Sequence, residues 1–318
     1  MPQADLTTDH LSGDAPGIAR AADLLRSGAL VAFPTETVYG LGADARDGKA
    51  VARIFAAKNR PAFNPLIVHV ATLKQAESLA DFPVAAQQLA AAFWPGPLTL
   101  VLPLRDNSGL SPLVSAGLNT VALRLPAGDI ARALLTKARI PIAAPSANPS
   151  GRISPTLASH VLAGLNGRIA AVLDGGPCKV GLESTIIGFD PVPTLLRAGG
   201  LPTEVIEACL GHPLSPPPTS KTPSAPGQLQ SHYAPKAPLR LNVTDPRASE
   251  RVLGFGAVKS DLNLSAAGDL TEAAANLFDY LHKLDQADAT AIAVTPIPDH
   301  GLGRAINDRL RRAAAPRP

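Results

Sequence analysis

The sequence predicts an α/β protein, because short apolar runs of strand-like composition alternate with segments of helical periodicity. Several runs end at a proline, as Leu30–Phe33 does at Pro34 and Leu98–Leu102 does at Pro103. With 46% hydrophobic and 17% charged residues, the chain has the composition to bury sizeable cores. Its 318 residues permit two domains, since a domain commonly has about 100–200 residues.

Periodicity and chain-breaking residues place the individual elements. The expected helices are Pro16–Arg26, Val51–Ala57, Val84–Phe93, Leu270–Leu284 and Gly303–Arg312. The expected strands are Leu30–Phe33, Leu66–Val70, Leu98–Leu102, Asn119–Leu125, Ile140–Ala144, Ile169–Leu173, Thr194–Leu196, Leu239–Val243, Arg251–Phe255 and Thr290–Val294, with a further strand after Gly181. Strands and helices alternate in the last part of the chain, which predicts a small parallel sheet there.

Composition also limits the cellular setting. The net charge of +3 and pI near 9.0 are only a weak indication of anionic ligands. Cys178 and Cys209 form no CxxC pair, so we expect no disulfide framework, no zinc site and a reducing cytosol. The polar N-terminus lacks the pattern of a signal peptide, and no apolar run is long enough to span a membrane. We therefore expect a cytoplasmic protein without a membrane partner.

Two cations follow the second predicted helix. Lys58 and Arg60 stand one residue apart, and Pro61 ends the helix. A compact ammonium beside a planar guanidinium suits a polyanion such as a nucleotide phosphate. The alternative is a solvated helix end, where cations complement the helix dipole. For this pair alone, the solvated helix end is the better interpretation.

Polar loops after later strands give further candidates. Ser146 and Asn148 lie in a loop directly after a predicted buried strand, where α/β proteins place ligand contacts. The same residue types are common in ordinary turns. Arg197 precedes two glycines, which would let a phosphate approach the backbone, although it could equally be a solvated turn cation.

Taken together, these segments resemble the threonylcarbamoyl-AMP synthase family, also called YrdC-like. The residues that carry the resemblance are PTETVYGLG from Pro34 to Gly42, KNR from Lys58 to Arg60, Asn64, His69 and Ser146-Ala147-Asn148. The resemblance covers Gly28 to about Leu210, and the remaining chain is similar to the long form of the family. It implies a YrdC-like twisted mixed-sheet catalytic domain at 1–210, a linker at 211–238, and a small Rossmann-like α/β domain at 239–318.

The resemblance also implies a function. Such an enzyme is a nucleotidyltransferase that converts L-threonine, bicarbonate and ATP, with Mg²⁺, into threonylcarbamoyl-AMP, pyrophosphate and water. The product supplies the downstream t6A transfer machinery that modifies tRNA, and direct tRNA binding is not required.

The family's site residues map onto this sequence as expectations. Lys58 and Arg60 are the implied catalytic residues, and no metal site on the protein is implied. The implied L-threonine site consists of Thr37, His69, Arg124 and Ser184. The implied ATP site consists of Lys58, Arg60, Asn64, Thr120, Ser146, Asn148, Ser154, Arg197 and Tyr233. Without the resemblance, Arg124 would be interpreted as an edge-strand cation pointing to solvent, and Glu183 could as easily be an ordinary loop acid.

The predicted linker carries a second part of the resemblance. Its richness in Pro, Ser, Thr and Gly predicts a semi-extended spacer. It also contains PGQLQSHYAP from Pro226 to Pro235, which matches the family's PG-x-x-x-x-HYAP segment. The match implies that the linker folds back over the active site and that Tyr233 contacts the nucleotide.

Two other functions are alternatives. An RNA-binding module with a basic concave surface is the first, but an aromatic content of 4% leaves few side chains for base stacking. A carbamoyl-transfer domain of metal-centre maturation is the second, and such domains normally accompany zinc-finger cysteines that this chain lacks. No P-loop is present, no chemistry is assigned to the last domain, and His282 and His300 are expected on the surface.

Overall fold

A computed structural model describes residues 7–216, 225, 227, 231–285 and 290–316. Its larger part is one mixed sheet flanked by helices. The strands of this sheet are β1 (Asp9–Ser12), β2 (Val31–Phe33), β3 (Gly40–Asp44), β4 (Ile67–His69), β5 (Leu98–Pro103), β6 (Thr120–Arg124), β7 (Ile142–Ala143), β8 (Ala171–Asp174), β9 (Thr185–Gly188) and β10 (Thr194–Arg197). Their order across the sheet is β1-β8-β2-β3-β7-β4-β6-β5-β9-β10, with parallel and antiparallel pairs.

The helices of the larger part cover both faces of this sheet. They are α1 (Ala15–Arg26), α2 (Gly48–Lys58), α3 (Leu73–Leu79), α4 (Val84–Phe93), α5 (Pro112–Ser115), α6 (Asp129–Ala138), α7 (Ala158–Leu165) and α8 (Thr203–Leu210). Two apolar clusters result: α1 and α6 pack with one, while α2, α3 and α4 pack with the other. Because β2, β4 and β7 are buried throughout, their sequences are apolar rather than alternating, except for His69 at the end of β4.

Helix α2 matters most for the site because it delivers the two cations of the KNR segment. It begins after Asp47, whose side chain accepts a hydrogen bond from the backbone N–H of Lys49. It ends at Asn59, which adopts the left-handed conformation with φ of 52°. This cap turns the chain sharply between Lys58 and Arg60.

A smaller, fully parallel sheet forms the C-terminal part, as predicted. Its strands are β11 (Leu239–Arg240), β12 (Glu250–Gly254), β13 (Leu262–Asn263) and β14 (Ala291–Val294), in the order β11-β14-β12-β13. Its helices are α9 (Leu270–Asp285) and α10 (Leu302–Ala314). The apolar cluster of this sheet also includes Val38, Ile153 and Leu182 of the larger part, so the two parts share one core.

Helix α9 lies directly against the larger part. At buried Gly181, with φ of 73°, an added Cβ would stand 2.4 Å from the carbonyl oxygen of Ala274. The ring of His282 stacks on that of His160 in α7, with centroids 3.9 Å apart. Packing between α7 and α9 covers part of the His282 ring, so this predicted surface residue is half-buried, whereas His300 is exposed as expected.

The contact at Gly181 gives a stability prediction. We expect Gly181→Ala to lower the free energy of unfolding by about 1–3 kcal/mol more than Gly176→Ala, because overpacking is added to backbone strain. Gly176 is a matched control, since it has the same φ of 73° and open space around its Cβ position. Urea unfolding of both variants checks this, and equal losses would contradict the close contact with α9.

Candidate active site

One cleft collects most of the side chains that the sequence singled out. It has a volume of about 560 Å³, counting the space that opens to solvent. The predicted residues that line it are Thr37, Arg60, His69, Arg124, Ser146, Ser184, Arg197 and Tyr233. They come from strand ends and loops that are far apart in the chain, so the sheet brings them together.

The predicted threonine end of the cleft is organised by Arg124 at the end of β6. Its Nη1 donates to the hydroxyl of Thr37 at 2.8 Å, and its Nη2 donates to Oε1 of Glu36 at 2.6 Å. Its Nε donates to the carbonyl of Gly96 at 3.3 Å. A guanidinium has five N–H donors. The three contacts use three of them, so two donors remain for a ligand carboxylate.

Glu36 is a functional candidate that the sequence interpretation did not single out. Burial raises the pKa of its carboxyl group, but the charge and hydrogen bond of Arg124 outweigh burial and hold the pKa below its ordinary value. The carboxylate is therefore ionised at neutral pH. Glu36 stands between two threonines of the TETVYG segment, and Arg124 follows 88 residues later. Nothing in the sequence indicated that Glu36 and Arg124 would pair.

His69 faces the same end of the cleft as a neutral imidazole. Burial, and then the nearby Arg124 cation, lower the pKa of His69 to about 3. Its Nδ1 has no hydrogen-bond partner among the described residues, and its ring meets that of Phe33 edge-on at 6.1 Å. A neutral ring with one free nitrogen can exchange a hydrogen bond with a polar ligand.

The predicted nucleotide end contains Arg60 and Arg197, both buried. Arg60 donates to the carbonyls of Asn64 at 3.2 Å and Pro65 at 2.8 Å, and Arg197 donates to the carbonyl of Ser184 at 2.9 Å. Burial, with a smaller contribution from the Arg197 cation, lowers the pKa of Arg60 to about 10. Two guanidinium groups with little water around them favour a polyanion that restores their solvation.

The backbone also explains the glycine after Arg197. An added Cβ at Gly199 would stand 2.3 Å from the carbonyl oxygen of Glu183 and 2.4 Å from the backbone nitrogen of Thr185. Only glycine lets these two segments approach so closely. The solvated-turn interpretation of Arg197 therefore does not apply, because the segment is packed against β9.

Lys58 lies beneath the cleft rather than along its surface. Its side chain is only 1% exposed, and its Nζ donates to the carbonyls of Ser146, at 2.5 Å, and of Asn148. Its own carbonyl accepts from the N–H of Ser150 at 2.7 Å. Burial, with a smaller contribution from Arg60, lowers the pKa of Lys58 well below its ordinary value. The lysine thus holds the loop that carries Ser146.

Four other predicted ATP contacts do not line the cleft. Asn64 is buried, and neither polar atom of its side chain has a partner among the described residues. Thr120 is half-buried at the start of β6. Asn148 faces a neighbouring depression, and Ser154 lies behind the cleft wall and donates its hydroxyl to Glu183.

The described part of the predicted linker contributes to the lining of the cleft. Tyr233 is buried with φ of 63°, and the N–H of Ala234 donates to the carbonyl of Gly151 at 2.8 Å. At Gly227 an added Cβ would stand 2.9 Å from both Tyr233 Oη and Arg197 Cδ. Of the predicted linker, residues 217–224, 226 and 228–230 lie outside the described residues.

The interpretation of Glu183 as an ordinary loop acid is wrong. Its side chain is buried and lines the cleft, and its Oε2 accepts from Nε of Arg309 at 2.8 Å. Arg309 belongs to α10, in the part of the chain to which the sequence assigned no chemistry. Its position in an amphipathic helix with several other charged residues gave no sign of this contact.

The described residues contain neither a cluster of metal ligands nor a membrane-spanning helix. There, no group of three or more His, Cys, Asp or Glu side chains could hold a metal ion. No described helix combines the length and the apolar character needed to cross a bilayer.

Both parts of the chain are similar to known protein families and to known proteins. Residues 23–199 match the Sua5/YciO/YrdC family model, described as "Telomere recombination", and residues 201–315 match the model described as "Threonylcarbamoyl-AMP synthase, C-terminal domain". The threonylcarbamoyl-AMP synthase of Bacillus subtilis is 44% identical, and the alignment covers 98% of this chain and 96% of that protein. The threonylcarbamoyl-AMP synthase of Pyrococcus abyssi is also 44% identical, with 92% and 93% covered.

A solved structure has the same architecture. The crystal structure of P. abyssi Sua5 complexed with L-threonine aligns with a TM-score of 0.88 at 41% identity, covering 96% of this chain and 97% of that one. The aligned region therefore includes both sheets and the residues that line the cleft. On these grounds the chain belongs to the Sua5/YciO/YrdC family of threonylcarbamoyl-AMP synthases.

Proposed function

We propose that this enzyme makes L-threonylcarbamoyladenylate from L-threonine, bicarbonate and ATP, and releases pyrophosphate and water. The observation that carries the proposal is a single cleft in which Arg124 and hydroxyl groups lie near two further buried guanidiniums, Arg60 and Arg197. The similarity to threonylcarbamoyl-AMP synthases over nearly the whole chain supports it.

Arg124 supplies the amino-acid end of the proposed site. Its two remaining N–H donors suit the carboxylate of L-threonine, and Glu36 and Thr37 hold the guanidinium in place. The hydroxyl of Ser184 is fixed by Thr99, at 2.7 Å, and is available to the substrate. The neutral ring of His69 offers a hydrogen bond without adding charge.

The proposed chemistry joins two anions and an amine. The threonine amine attacks the carbon of bicarbonate, or of CO₂ derived from it, and a carbamate forms with loss of water. A carbamate oxygen then attacks the α-phosphorus of ATP, and the bond to the β-phosphate oxygen breaks to release pyrophosphate. Arg60 and Arg197 stabilise the negative charge that gathers on the phosphates. Positioning by the cleft supplies much of the remaining rate.

Several finer features belong to the same proposal. Mg²⁺ enters with the phosphates of ATP as part of the substrate. We propose that Asn64, Thr120, Ser146, Asn148, Ser154 and Tyr233 contact ATP. The product passes to the t6A transfer machinery for tRNA without a need for direct tRNA binding. The two free cysteines fit a reducing cytosol.

We also propose the division of labour along the chain. Residues 1–210 form the catalytic domain, 211–238 form a linker that folds back over the cleft, and 239–318 form the small C-terminal domain. The place of Tyr233 against the cleft supports the folded-back linker.

The direct test is product formation by the full chain. We expect pyrophosphate release from ATP only when both L-threonine and bicarbonate are present, together with a product of the mass of threonylcarbamoyl-AMP. Omitting each small molecule in turn is the control. Pyrophosphate release that is indifferent to threonine, or tight RNA binding without any turnover, would refute the proposal.

Lys58 gives a prediction about loop positioning. Lys58→Met leaves the carbonyls of Ser146 and Asn148 without their donor, so we expect kcat to fall about 10²-fold or more as the loop shifts. Lys137→Met is the control, because Lys137 is also in the last turn of a helix but is exposed. Steady-state kinetics with a check of folding by circular dichroism measures the effect; a kcat equal to that of the control would exclude this role.

Arg124 gives a prediction about amino-acid binding. Arg124→Lys keeps the charge but loses the planar fork, so we expect the KM for L-threonine to rise at least about tenfold, or about 1.4 kcal/mol. The KM for ATP should change much less. Rates measured while each substrate is varied separately decide this, and an effect confined to ATP would place the threonine carboxylate elsewhere.

A further inference from the structure

An arginine of the C-terminal part reaches into the wall of the cleft. Arg309 lies in α10 and is only 1% exposed, although it is a long charged side chain. Its Nε donates to Oε2 of Glu183 at 2.8 Å, and its Nη1 donates to Asp308 at 2.7 Å. Its guanidinium carbon is 5.1 Å from the centre of the Tyr233 ring, within the range of a cation–π contact.

Glu183 would be an unfavourable neighbour for a nucleotide without this partner. It lines the cleft beside Ser184 and Arg197, and its Oε1 accepts from Ser154. Burial raises its pKa, but Arg309 and then Arg197 hold the pKa below the ordinary value, so it is ionised. A carboxylate without Arg309 would repel a triphosphate in the same cleft.

The same helix also holds the backbone beside Tyr233. The N–H of His232 donates to the carbonyl of Arg312 at 3.1 Å, one turn beyond Arg309. The rings of Tyr233 and Phe278 in α9 stack with centroids 5.7 Å apart. The C-terminal helices therefore contact both the ring of Tyr233 and the backbone of the residue before it.

We propose that Arg309 is a positioning residue of the nucleotide site, through which the C-terminal part completes the active site of the larger part. It neutralises Glu183 in the cleft wall and supports the ring of Tyr233 above the phosphates. This role rests on the proposed function, since it concerns how the same cleft accepts ATP. The C-terminal part is then required for ATP affinity and not only for stability.

An exposed ion pair on the same helix shows why the burial of Arg309 matters. Arg304 approaches Glu204 of α8 at 3.4 Å, but the two side chains are 46% and 43% exposed. Both pairs join α10 to the larger part. Solvent screens the exposed pair and lets either partner remain hydrated when the other is removed. Removal of Arg309, in contrast, leaves a buried carboxylate without its main partner.

The test compares Arg309→Met with the wild type in steady-state kinetics. We expect the KM for ATP to rise at least about tenfold, with a smaller change in the KM for L-threonine. In the variant, loss of the cation raises the pKa of Glu183, so protonation at lower pH removes the repulsive charge. The defect in kcat/KM for ATP should therefore shrink as the pH falls, in a way that the wild type does not show.

Variants that restore ATP affinity distinguish an effect of charge from a loss of structure. We expect Arg309→Met/Glu183→Gln to recover most of the lost ATP affinity, because the repulsive carboxylate is gone. Arg309→Lys should recover part of it, since the charge remains without the planar fork. Arg304→Met is the matched control from the same helix and should keep the wild-type KM for ATP.

The outcomes are distinct. A wild-type KM for ATP in Arg309→Met, or a defect that neither Glu183→Gln nor lower pH relieves, would overturn the positioning role. If Arg309→Met does not fold, Arg309→Lys and Arg309→Lys/Glu183→Gln give the same comparison. If the wild type forms no product, the proposed function fails, and calorimetric binding of ATP to the same variants still decides the role of Arg309.

Discussion

The site depends on holding cationic side chains almost free of water around one cleft. Among the described residues, the buried cations are Lys58, Arg60, Arg124, Arg197 and Arg309. A buried charge is costly unless hydrogen bonds replace its hydration. Backbone carbonyls supply many of these bonds, and Lys58 and Arg60 both donate to them. The loops around the cleft are therefore shaped by the needs of the cations, and a bound polyanion would complete their solvation.

Two buried carboxylates balance this positive charge at defined places. Glu36 pairs with Arg124 within the larger part, and Glu183 pairs with Arg309 across the two parts. The first pair orients Arg124, and the second shields the charge of Glu183. Both pairings leave the cleft electrostatically suited to anions. The same electrostatic logic thus serves an amino-acid carboxylate at one end and phosphates at the other.

Much of the fold was predictable because it depends on local patterns. Most predicted strands and helices lie within a few residues of those observed, since apolar runs and prolines mark their limits. Such local patterns did not predict the directions in which the side chains of Lys58 and Arg60 point. Asn59 between them adopts a left-handed conformation, so one cation turns under the loop at Ser146 and the other lines the cleft. Lys58 thus contacts the loop at Ser146, whereas Arg60 lines the cleft.

By itself, the sequence determined the α/β class, the two-part organisation and the membership of the family, because helical and strand periodicities and short residue patterns are local properties. Only the tertiary structure decided which charges neutralise one another. Glu183 and Arg309 are 126 residues apart, and their pairing requires that α10 packs against the wall of the larger sheet. Burial then makes that single contact strong, since its two charges meet with little water between them.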